Sequence, residues 1–331
     1  DNPTWYQGTA DAVRQSLRHI ETFESDYVLI LSGDQLYQMD FAEMLDNHKA
    51  LGADISIATI PVMYKEASEF GILKSEDGMI TSFIEKPKSD VLVDWVSDTG
   101  DEMKAVGRNY LASMGIYIFN RNLLFEMLRT EFDKATDFGK EIIPQSISKY
   151  KVASYQYSGY WTDIGNIRSF FEANLDLTKE IPDFDMFDMD RTIYTRPRML
   201  PPAKISGTTL ERTLIAEGCI IHASRIVHSV VGIRSRIGNG STVENTYMMG
   251  SDYYETLADI TSETEKGIPV VGVGERCHIK NAILDKNVRI GKDVRIIGGD
   301  HLENTDHALY TVKDGIVVIK KGAIIPDGFV I

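Results

Sequence analysis

The stretch Ile237-Gly238-Asn239-Gly240-Ser241-Thr242-Val243 decides the fold of the second half of this chain. An aliphatic residue opens it and another follows six positions later, with small or polar residues between them. Repeats of this length predict a parallel β-helix, because each turn buries its aliphatic residues along a common axis. Allowing two five-residue steps and one interruption, the series is Leu214, Ile220, Ile226, Val231, Ile237, Val243, Met249, Val273, Ile279, Leu284, Ile290 and Ile296.

The β-helix is predicted to span residues 205–331, with an acidic insertion at 250–267 that we interpret as a loop leaving one corner of the coil. This half is expected to act mainly as a scaffold and an oligomer interface. The preceding stretch, 181–204, has no periodicity and is predicted to be an interdomain linker. Its irregularity is marked by Pro182, Pro197, Pro201 and Pro202.

Residues 1–180 alternate helix-like and strand-like segments, a pattern typical of an α/β domain with a largely parallel sheet. Thr9 is placed to cap a helix whose apolar face consists of Val13, Leu17 and Ile20. Short apolar runs predict buried strands. The strands are expected at 27–31, 55–60 and 113–119, and a closing helix at 166–179.

Composition excludes several classes of protein. The 331 residues carry a formal net charge of −14, which argues against a nucleic-acid or anionic-membrane partner. No run of 18 apolar residues and no signal peptide is found, so we expect neither export nor membrane insertion. Cys219 and Cys277 lack metal-ligand spacing and are predicted to be buried thiols in a reducing compartment. The opening Asp1-Asn2-Pro3-Thr4 has no Met, so we expect a chain cut short at its N-terminus.

Two aspartates follow predicted strands. Asp34 ends Leu31-Ser32-Gly33-Asp34, and Asp163 lies in Gly159-Tyr160-Trp161-Thr162-Asp163-Ile164-Gly165. Ligands of open α/β sheets gather at the carboxyl ends of strands. Magnesium takes one or two carboxylates and leaves room for phosphate oxygens. A lone aspartate here is more often a turn or helix cap, so the pair is needed for the metal interpretation.

Two further segments carry groups suited to a sugar phosphate and a purine. Glu69-Phe70-Gly71 is followed by Phe83-Ile84-Glu85-Lys86-Pro87, where a carboxylate can read sugar hydroxyls and an ammonium can pair with phosphate. Trp5-Tyr6-Gln7-Gly8 offers an aromatic face for a purine and a glycine for close approach. Taken singly, these segments also fit a solvated strand end and an ordinary helix start.

Together these segments resemble the ADP-glucose pyrophosphorylase (glucose-1-phosphate adenylyltransferase) family. The resemblance implies a Rossmann-like, GT-A-like α/β nucleotidyltransferase domain with a mixed sheet, followed by a left-handed parallel β-helix. It also implies site residues. Tyr6, Gln7 and Gly8 would bind the nucleotide; Gly71, Glu85, Lys86 and Ser113 would bind glucose 1-phosphate; Asp34 and Asp163 would hold Mg²⁺ and, with Lys86, be catalytic.

The match to the family departs at Gln35, which stands where the family often has His. Asp137-Phe138-Gly139-Lys140-Glu141 resembles a family segment near the active site, but the resemblance gives Asp137 and Lys140 no role. The family's glycine-rich triphosphate loop should precede Trp5, so we expect this chain alone to have little or no activity.

The implied reaction is attack by glucose 1-phosphate on the α-phosphorus of ATP, giving ADP-glucose and pyrophosphate for glycogen or starch synthesis. The attacking phosphate is already anionic, so positioning and charge neutralisation suffice and no general base is named. The resemblance also implies a homotetramer located in the cytoplasm, or in the plastid stroma of a plant or alga.

Regulation is a further implication. Lys266, Lys280 and Lys320 match positions where plant and cyanobacterial relatives bind anionic allosteric effectors such as 3-phosphoglycerate; solvated surface lysines are the alternative.

Three other functions stay open at this point. The chain could use another nucleoside triphosphate, or it could be a non-catalytic regulatory subunit. The retained metal aspartates and Lys86 argue against the second of these. An acyltransferase would need a histidine, and His222, His228 and His278 have no recognisable context.

Overall fold

The computed structural model describes residues 5–190 and 192–331; the predicted start within a longer chain rests on residues 1–4, which lie outside the described residues. The chain divides into two compact units. The first contains the residues up to Gly33 together with Tyr37–Trp161, and the second contains Asp34–Leu36 and Thr162–Ile331. None of the described helices combines the length and apolar character needed to cross a membrane.

The first part of the chain alternates helices and strands, as the sequence predicts. The helices are α1 (Thr9–Ile20), α2 (Phe41–Ala50), α3 (Tyr64–Ala67), α4 (Asp101–Ala105), α5 (Arg121–Glu126), α6 (Ile143–Ser146) and α7 (Ile167–Asp176), with a 3₁₀ turn at Leu92–Trp95 and π-helical turns at Met127–Glu131 and Phe138–Ile142. The strands are β1 (Tyr27–Ile30), β2 (Gln35–Tyr37), β3 (Ile55–Val62), β4 (Gly71–Glu76), β5 (Met79–Glu85), β6 (Tyr110–Asn120), β7 (Val152–Gln156) and β8 (Trp161–Asp163).

The sheet of the first unit has the order β1-β6-β3-β7-β5-β4, and β4 also pairs with β6. Among its described pairings only β3–β7 is parallel, so the predicted largely parallel sheet is wrong. The missed signal is Asp77-Gly78, whose φ angles of 50° and 78° form a tight turn. Such a pair joins β4 and β5 as a hairpin, which forces them to be antiparallel.

Both faces of this sheet are covered. Leu17 of α1 and Ile57 of β3 belong to one buried cluster, whereas Met44 of α2 and Ile60 of β3 belong to another. The apolar face predicted for α1 is confirmed, since Val13 and Ile20 pack beside Leu17. The predicted cap is wrong. The helix begins at Thr9 itself, and the Thr9 hydroxyl instead accepts a hydrogen bond from the Phe138 amide at 3.1 Å.

The C-terminal region is built from short strands that pair in parallel, except that β20 pairs antiparallel with β19 and β21. They are β9 (Lys204–Ile205), β10 (Thr209–Ile215), β11 (Ile220–Ile221), β12 (Arg225–Val231), β13 (Arg236–Ile237), β14 (Thr242–Met248), β15 (Gly272–Val273), β16 (His278–Leu284), β17 (Arg289–Ile290), β18 (Arg295–Ile297), β19 (Thr305–Asp306), β20 (Tyr310–Lys313), β21 (Ile316–Ile319) and β22 (Ile324–Ile325). Residues 177–190 and 192–203, which precede them, contain neither helix nor strand.

These strands stack into a β-helix whose buried residues form three columns. The columns run through Ile221, Ile237, Val273, Ile290 and Ile325; through Ile226, Val243, Ile279 and Ile296; and through Val231, Met248, Leu284 and Ile319. The predicted positions Leu214, Ile220 and Met249 are each wrong by one residue. The column positions are Ile215, Ile221 and Met248, because a shift of one residue in a strand turns its side chain to the opposite face.

One corner of the coil is held by asparagines. Asn245 and Asn281 occupy equivalent positions with φ of 44° and 49°, a left-handed conformation that asparagine tolerates well. The Asn245 amide donates to Asn281 at 2.7 Å, and the Asn281 amide donates to the Gly298 carbonyl at 2.7 Å. This ladder fixes the stacking of successive turns.

Two helices accompany the β-helix within the second unit. The insertion at 250–267, predicted as a loop, contains helix α8 (Leu257–Glu265), which begins with a capping box between Thr256 and Asp259. Helix α7 packs Phe171 and Leu175 against Ile283 and Ile316 of the coil.

Candidate functional site

The β4–β5 hairpin positions the predicted sugar-phosphate residues in the first unit. Gly71 pairs with Glu85 across the hairpin. A Cβ added at Gly71 would lie 2.5 Å from Phe83 Cζ and 2.7 Å from Glu85 Oε2, so only glycine leaves room for this carboxylate. Lys86 follows directly with a φ of 44°, a left-handed conformation that costs a non-glycine residue energy.

A second carboxylate lies beside Glu85. A Cβ added at Gly139 would lie 3.0 Å from Glu85 Oε2 and 3.5 Å from Asp137 Oδ1, so the two side chains share one small space. Asp137 begins the π-helical turn and accepts a hydrogen bond from the Lys140 amide at 2.9 Å. Burial, and next the charge of Asp137, raise the pKa of Glu85; the charges of Lys86 and Lys140 oppose them.

This cluster of charges is suited to a polar, anionic ligand. The two carboxylates can accept hydrogen bonds from hydroxyl groups, and the exposed Lys86 can pair with a phosphate. The sequence motif identified Glu85 and Lys86 but gave Asp137 no role. The structure brings Asp137 to the same site because the turn that follows it carries a glycine, Gly139, where any side chain would separate the two acids.

Ser113 reaches the same cluster through a bulge in β6. The pairing shifts between Ile57 opposite Tyr117 and Thr59 opposite Ser113, and Gly115 within the bulge has a φ of 68°. The Ser113 hydroxyl accepts a hydrogen bond from the Gly115 amide at 3.3 Å.

Tyr117, on the other side of the bulge, is a residue that sequence reasoning missed. It is 7% exposed, and burial raises its pKa above the ordinary value; a hydrogen bond with Ser113 opposes this, while the charges of Glu85 and Asp137 add to it. Its neutral hydroxyl therefore belongs with Ser113, Glu85 and Asp137. Its place in an apolar strand gave no signal that distinguishes it from a core tyrosine.

The predicted nucleotide segment adjoins this cluster within the first unit. The backbone amide of Ala10 donates to the Thr136 carbonyl at 2.8 Å, and a side chain at Gly8 would collide with that same carbonyl. Gly8 therefore allows a close approach to the chain's own backbone, and its contact with the nucleotide stays a prediction. Tyr6 is 49% exposed and presents an open aromatic face.

The two predicted metal aspartates lie together in the second unit. The Ile164 amide donates to the Asp34 carbonyl at 3.0 Å, and strands β2 and β8 pair. A Cβ added at Gly165 would lie 2.9 Å from Asp163 Oδ1 and 3.4 Å from Asp34 Oδ2, so both carboxylates face one point. Asp163 Oδ1 also accepts the Gly165 amide at 2.7 Å. Two facing carboxylates offer the oxygen ligands that a hard divalent cation takes.

The three predicted effector lysines lie in the second unit, and two of them have acidic partners. Lys280 pairs with Glu244 at 3.3 Å, and Lys320 pairs with Asp306 at 2.6 Å. Lys266 is the residue at which helix α8 of the insertion ends. Their role in effector binding stays a prediction.

Comparison with known proteins gives matches to both parts of the chain. A family model described as nucleotidyl transferase matches residues 2–180, and one described as the GLGC left-handed parallel beta-helix domain matches residues 198–330. The chain is 45% identical to the chloroplastic/amyloplastic small subunit of glucose-1-phosphate adenylyltransferase from Triticum aestivum. That similarity covers 100% of this chain and 72% of the wheat protein.

Proposed function

The chain belongs to the glucose-1-phosphate adenylyltransferase family, and we propose that it joins ATP and glucose 1-phosphate to give ADP-glucose and pyrophosphate. The observation that carries the proposal is the paired carboxylate site of Glu85 and Asp137 with Lys86 at its edge. A site with two carboxylates and one ammonium group fits a sugar phosphate. The carboxylates accept hydrogen bonds from the sugar hydroxyls, and the ammonium group pairs with the phosphate.

In this proposal the first unit binds the sugar. Glu85 and Asp137 accept hydrogen bonds from glucose hydroxyls, Ser113 and Tyr117 add hydroxyl partners, and Lys86 neutralises the phosphate. Gly71 and Gly139 keep the ring close to the backbone, since neither has a side chain that would fill the space. Tyr6, Gln7 and Gly8 bind the base of the nucleotide, with the exposed Tyr6 ring as its stacking surface.

Enzymes of this family depend on a divalent metal, and we propose that Asp34 and Asp163 hold Mg²⁺. Bound there, the ion would supply charge neutralisation for the phosphates. The chain's own contribution is to orient the two carboxylates, which it does through the β2–β8 pairing and the Gly165 amide. Since the attacking phosphate oxygen is already ionised, no residue of the chain has to remove a proton.

The proposal extends to the regulation, the oligomeric state and the location of the protein. Anionic effectors would act at Lys266, Lys280 and Lys320; at Lys280 and Lys320 they would displace Glu244 and Asp306, the acidic partners those lysines now have. Family membership supports a homotetramer built through the β-helix. The name of the wheat protein gives a chloroplastic or amyloplastic location. We infer a plastid location for this chain if its source is a plant or alga, and a cytoplasmic location otherwise.

The test is equilibrium binding, by isothermal titration calorimetry, of glucose 1-phosphate and of each of ATP, UTP, GTP, CTP and dTTP, because this chain alone is expected to turn over little or no substrate. We expect ATP to bind more tightly than the other nucleotides. In Lys86→Ala the Kd for glucose 1-phosphate should rise by about tenfold to a hundredfold, the loss expected for one charge-assisted contact, with the Kd for ATP unchanged. Lys88→Ala, two residues away and also exposed, is the matched control. Preference for another nucleotide, or equal effects at both lysines, would contradict the proposal.

A further inference from the structure

A groove of about 640 Å³ lies on the outer face of the β-helix, wholly within the second unit. One wall is the sheet formed by β11, β13, β15 and β17, and the other is the end of the insertion, residues 264–271. The volume lies in the range of about 300–1,000 Å³ typical of small-molecule sites. None of the residues that we assign to catalysis or to effector binding lines it.

The turns of the coil stack closely where Arg236 borders the groove. Residues equivalent to one another on this face are Ile220, Arg236, Gly272 and Arg289. A Cβ added at Gly272 would lie 2.4 Å from the Arg236 carbonyl oxygen and 3.0 Å from Arg236 Cβ, so only glycine allows this approach. The backbone that carries Arg236 is therefore fixed against the next turn.

The insertion wall is held firmly in place. Arg289 donates to Glu255 at 2.8 Å and to the Pro269 carbonyl at 2.7 Å, and Glu263 lies 2.6 Å from the same nitrogen. Glu255 also accepts the Val271 amide at 2.9 Å. These contacts fix the wall against the sheet, so the groove is formed in advance of any ligand.

One cation that lines the groove, Arg236, has no acidic partner among the described residues. The Lys292 ammonium lies 3.5 Å from Glu275, and Asp327 accepts a hydrogen bond from the Lys292 backbone amide at 2.7 Å, so the other charged groups of the lining have partners. Arg236 is half-buried, and within the described part of the chain its guanidinium has neither an ion pair nor a hydrogen bond. In a chain of net charge −14, a half-buried arginine left without an acidic partner indicates that an anion from outside completes its contacts.

We propose that this groove binds a small organic anion, whose carboxylate or phosphate meets Arg236 and whose compact body packs on the apolar wall. That wall consists of Ile268, Pro269 and Val270. Arginine presents a planar fork that pairs with either kind of anion through two hydrogen bonds. His222, on the neighbouring turn, adds a second polar group at the same end of the sheet. Inorganic phosphate has no apolar part to pack on this wall, so it should bind more weakly than an organic anion.

Occupancy of the groove can be read at the groove itself. Thr264 is exposed and lines it, whereas Cys219 and Cys277, the two cysteines of the chain, are buried. A Thr264→Cys variant therefore carries one accessible thiol, whose alkylation rate reports on bound ligand. The probes are sn-glycerol 3-phosphate, benzoate and inorganic phosphate, each titrated at constant ionic strength. We expect at least one of the two organic anions to slow alkylation saturably and more strongly than inorganic phosphate does.

The decisive variants differ by one side chain in the Thr264→Cys background. In Arg236→Gln, the ligand concentration needed for half-maximal protection should rise by about tenfold or more. Arg236→Lys should recover part of this loss, because lysine keeps the charge but lacks the two parallel N–H donors of the guanidinium. Arg295→Gln is the matched control, since Arg295 is exposed on the coil outside the groove and its loss changes net charge equally. An unchanged melting temperature shows that each variant is folded.

Three results would overturn the proposal. The first is that no probe protects the thiol saturably. The second is equal protection by inorganic phosphate and the organic anions, which would remove the role of the apolar wall. The third is an equal loss of protection in Arg236→Gln and Arg295→Gln, which would mean that net charge and not this groove is responsible. Protection by benzoate alone identifies a carboxylate ligand, and protection by sn-glycerol 3-phosphate alone identifies a phosphate ligand; either supports the proposal.

Discussion

Replacing Arg289 with methionine tests how the insertion is held against the β-helix. Arg289 and Glu255 have side chains only 11% and 2% exposed, and they are joined at 2.8 Å. Methionine keeps much of the side-chain volume but leaves the Glu255 carboxylate buried without its cation. Removing one partner of a buried ion pair costs about 3–5 kcal/mol. We expect a loss of stability of that size in the second unit.

The matched control is Arg276→Met. Arg276 and Asp293 form a closer pair, at 2.7 Å, but their side chains are 56% and 55% exposed. Water screens such a pair, so its contribution to the free energy of unfolding is small. The two pairs have nearly the same contact distance but differ in burial. A larger loss of stability in Arg289→Met than in Arg276→Met is therefore due to burial and not to contact distance.

The assay is urea unfolding followed by circular dichroism, together with hydrogen–deuterium exchange over residues 256–271. In Arg289→Met the amides of this segment should exchange faster, and Glu255→Gln added to it should recover part of the lost stability by removing the unpaired charge. If Arg289→Met were no more destabilising than Arg276→Met, the insertion would not be held by this ion pair and the reasoning would be refuted.

Three more perturbations follow from the geometry. Gly139→Ala would place a Cβ 3.0 Å from the Glu85 carboxylate; we expect about a tenfold rise in the Kd for glucose 1-phosphate, measured by calorimetry, with little change in melting temperature. Asp137→Asn removes a charge that raises the pKa of Glu85, so the loss of glucose 1-phosphate binding at acid pH should begin at a lower pH than in wild type; the ionisation of the substrate is the same in both titrations. Burial lowers the pKa of His48 below its ordinary 6.5, so the unfolded chain binds this proton more readily. The contribution of His48 to the free energy of unfolding is therefore fully present above pH 6.5 and should decrease as the pH falls below that value. In denaturant titrations, a His48→Gln variant should lack this part of the pH dependence.

The local sequence was sufficient wherever the decisive interaction lies close along the chain. The apolar face of α1 and the buried strand β3 were predicted because side-chain periodicity reflects burial directly. Strand β1 was predicted in place, but its predicted burial is wrong, because it lies at the edge of the sheet with Leu29 exposed. The β-helix was likewise predicted from its periodicity. Its register was not, since Ile220 and Ile221 are both aliphatic and nothing local distinguishes which one faces the axis.

The sheet of the first unit shows where this reasoning failed. Helices alternating with strands favoured parallel pairing, yet β6 pairs antiparallel with β1, β3 and β4. Which strands become neighbours depends on the packing of distant segments on both faces, and a one-dimensional pattern does not contain that information.

The sequence by itself determined the family resemblance, the six-residue coil and the residue types suited to sugar, phosphate and metal. Only the tertiary structure decided that Asp137 and Tyr117 join Glu85, that Asp34 and Asp163 face one point, and that Arg236 lies in a groove without an acidic partner. The physical reason is the same in each case. The residues of each site are far apart in the sequence. The burial and strand pairing of the intervening segments bring them together.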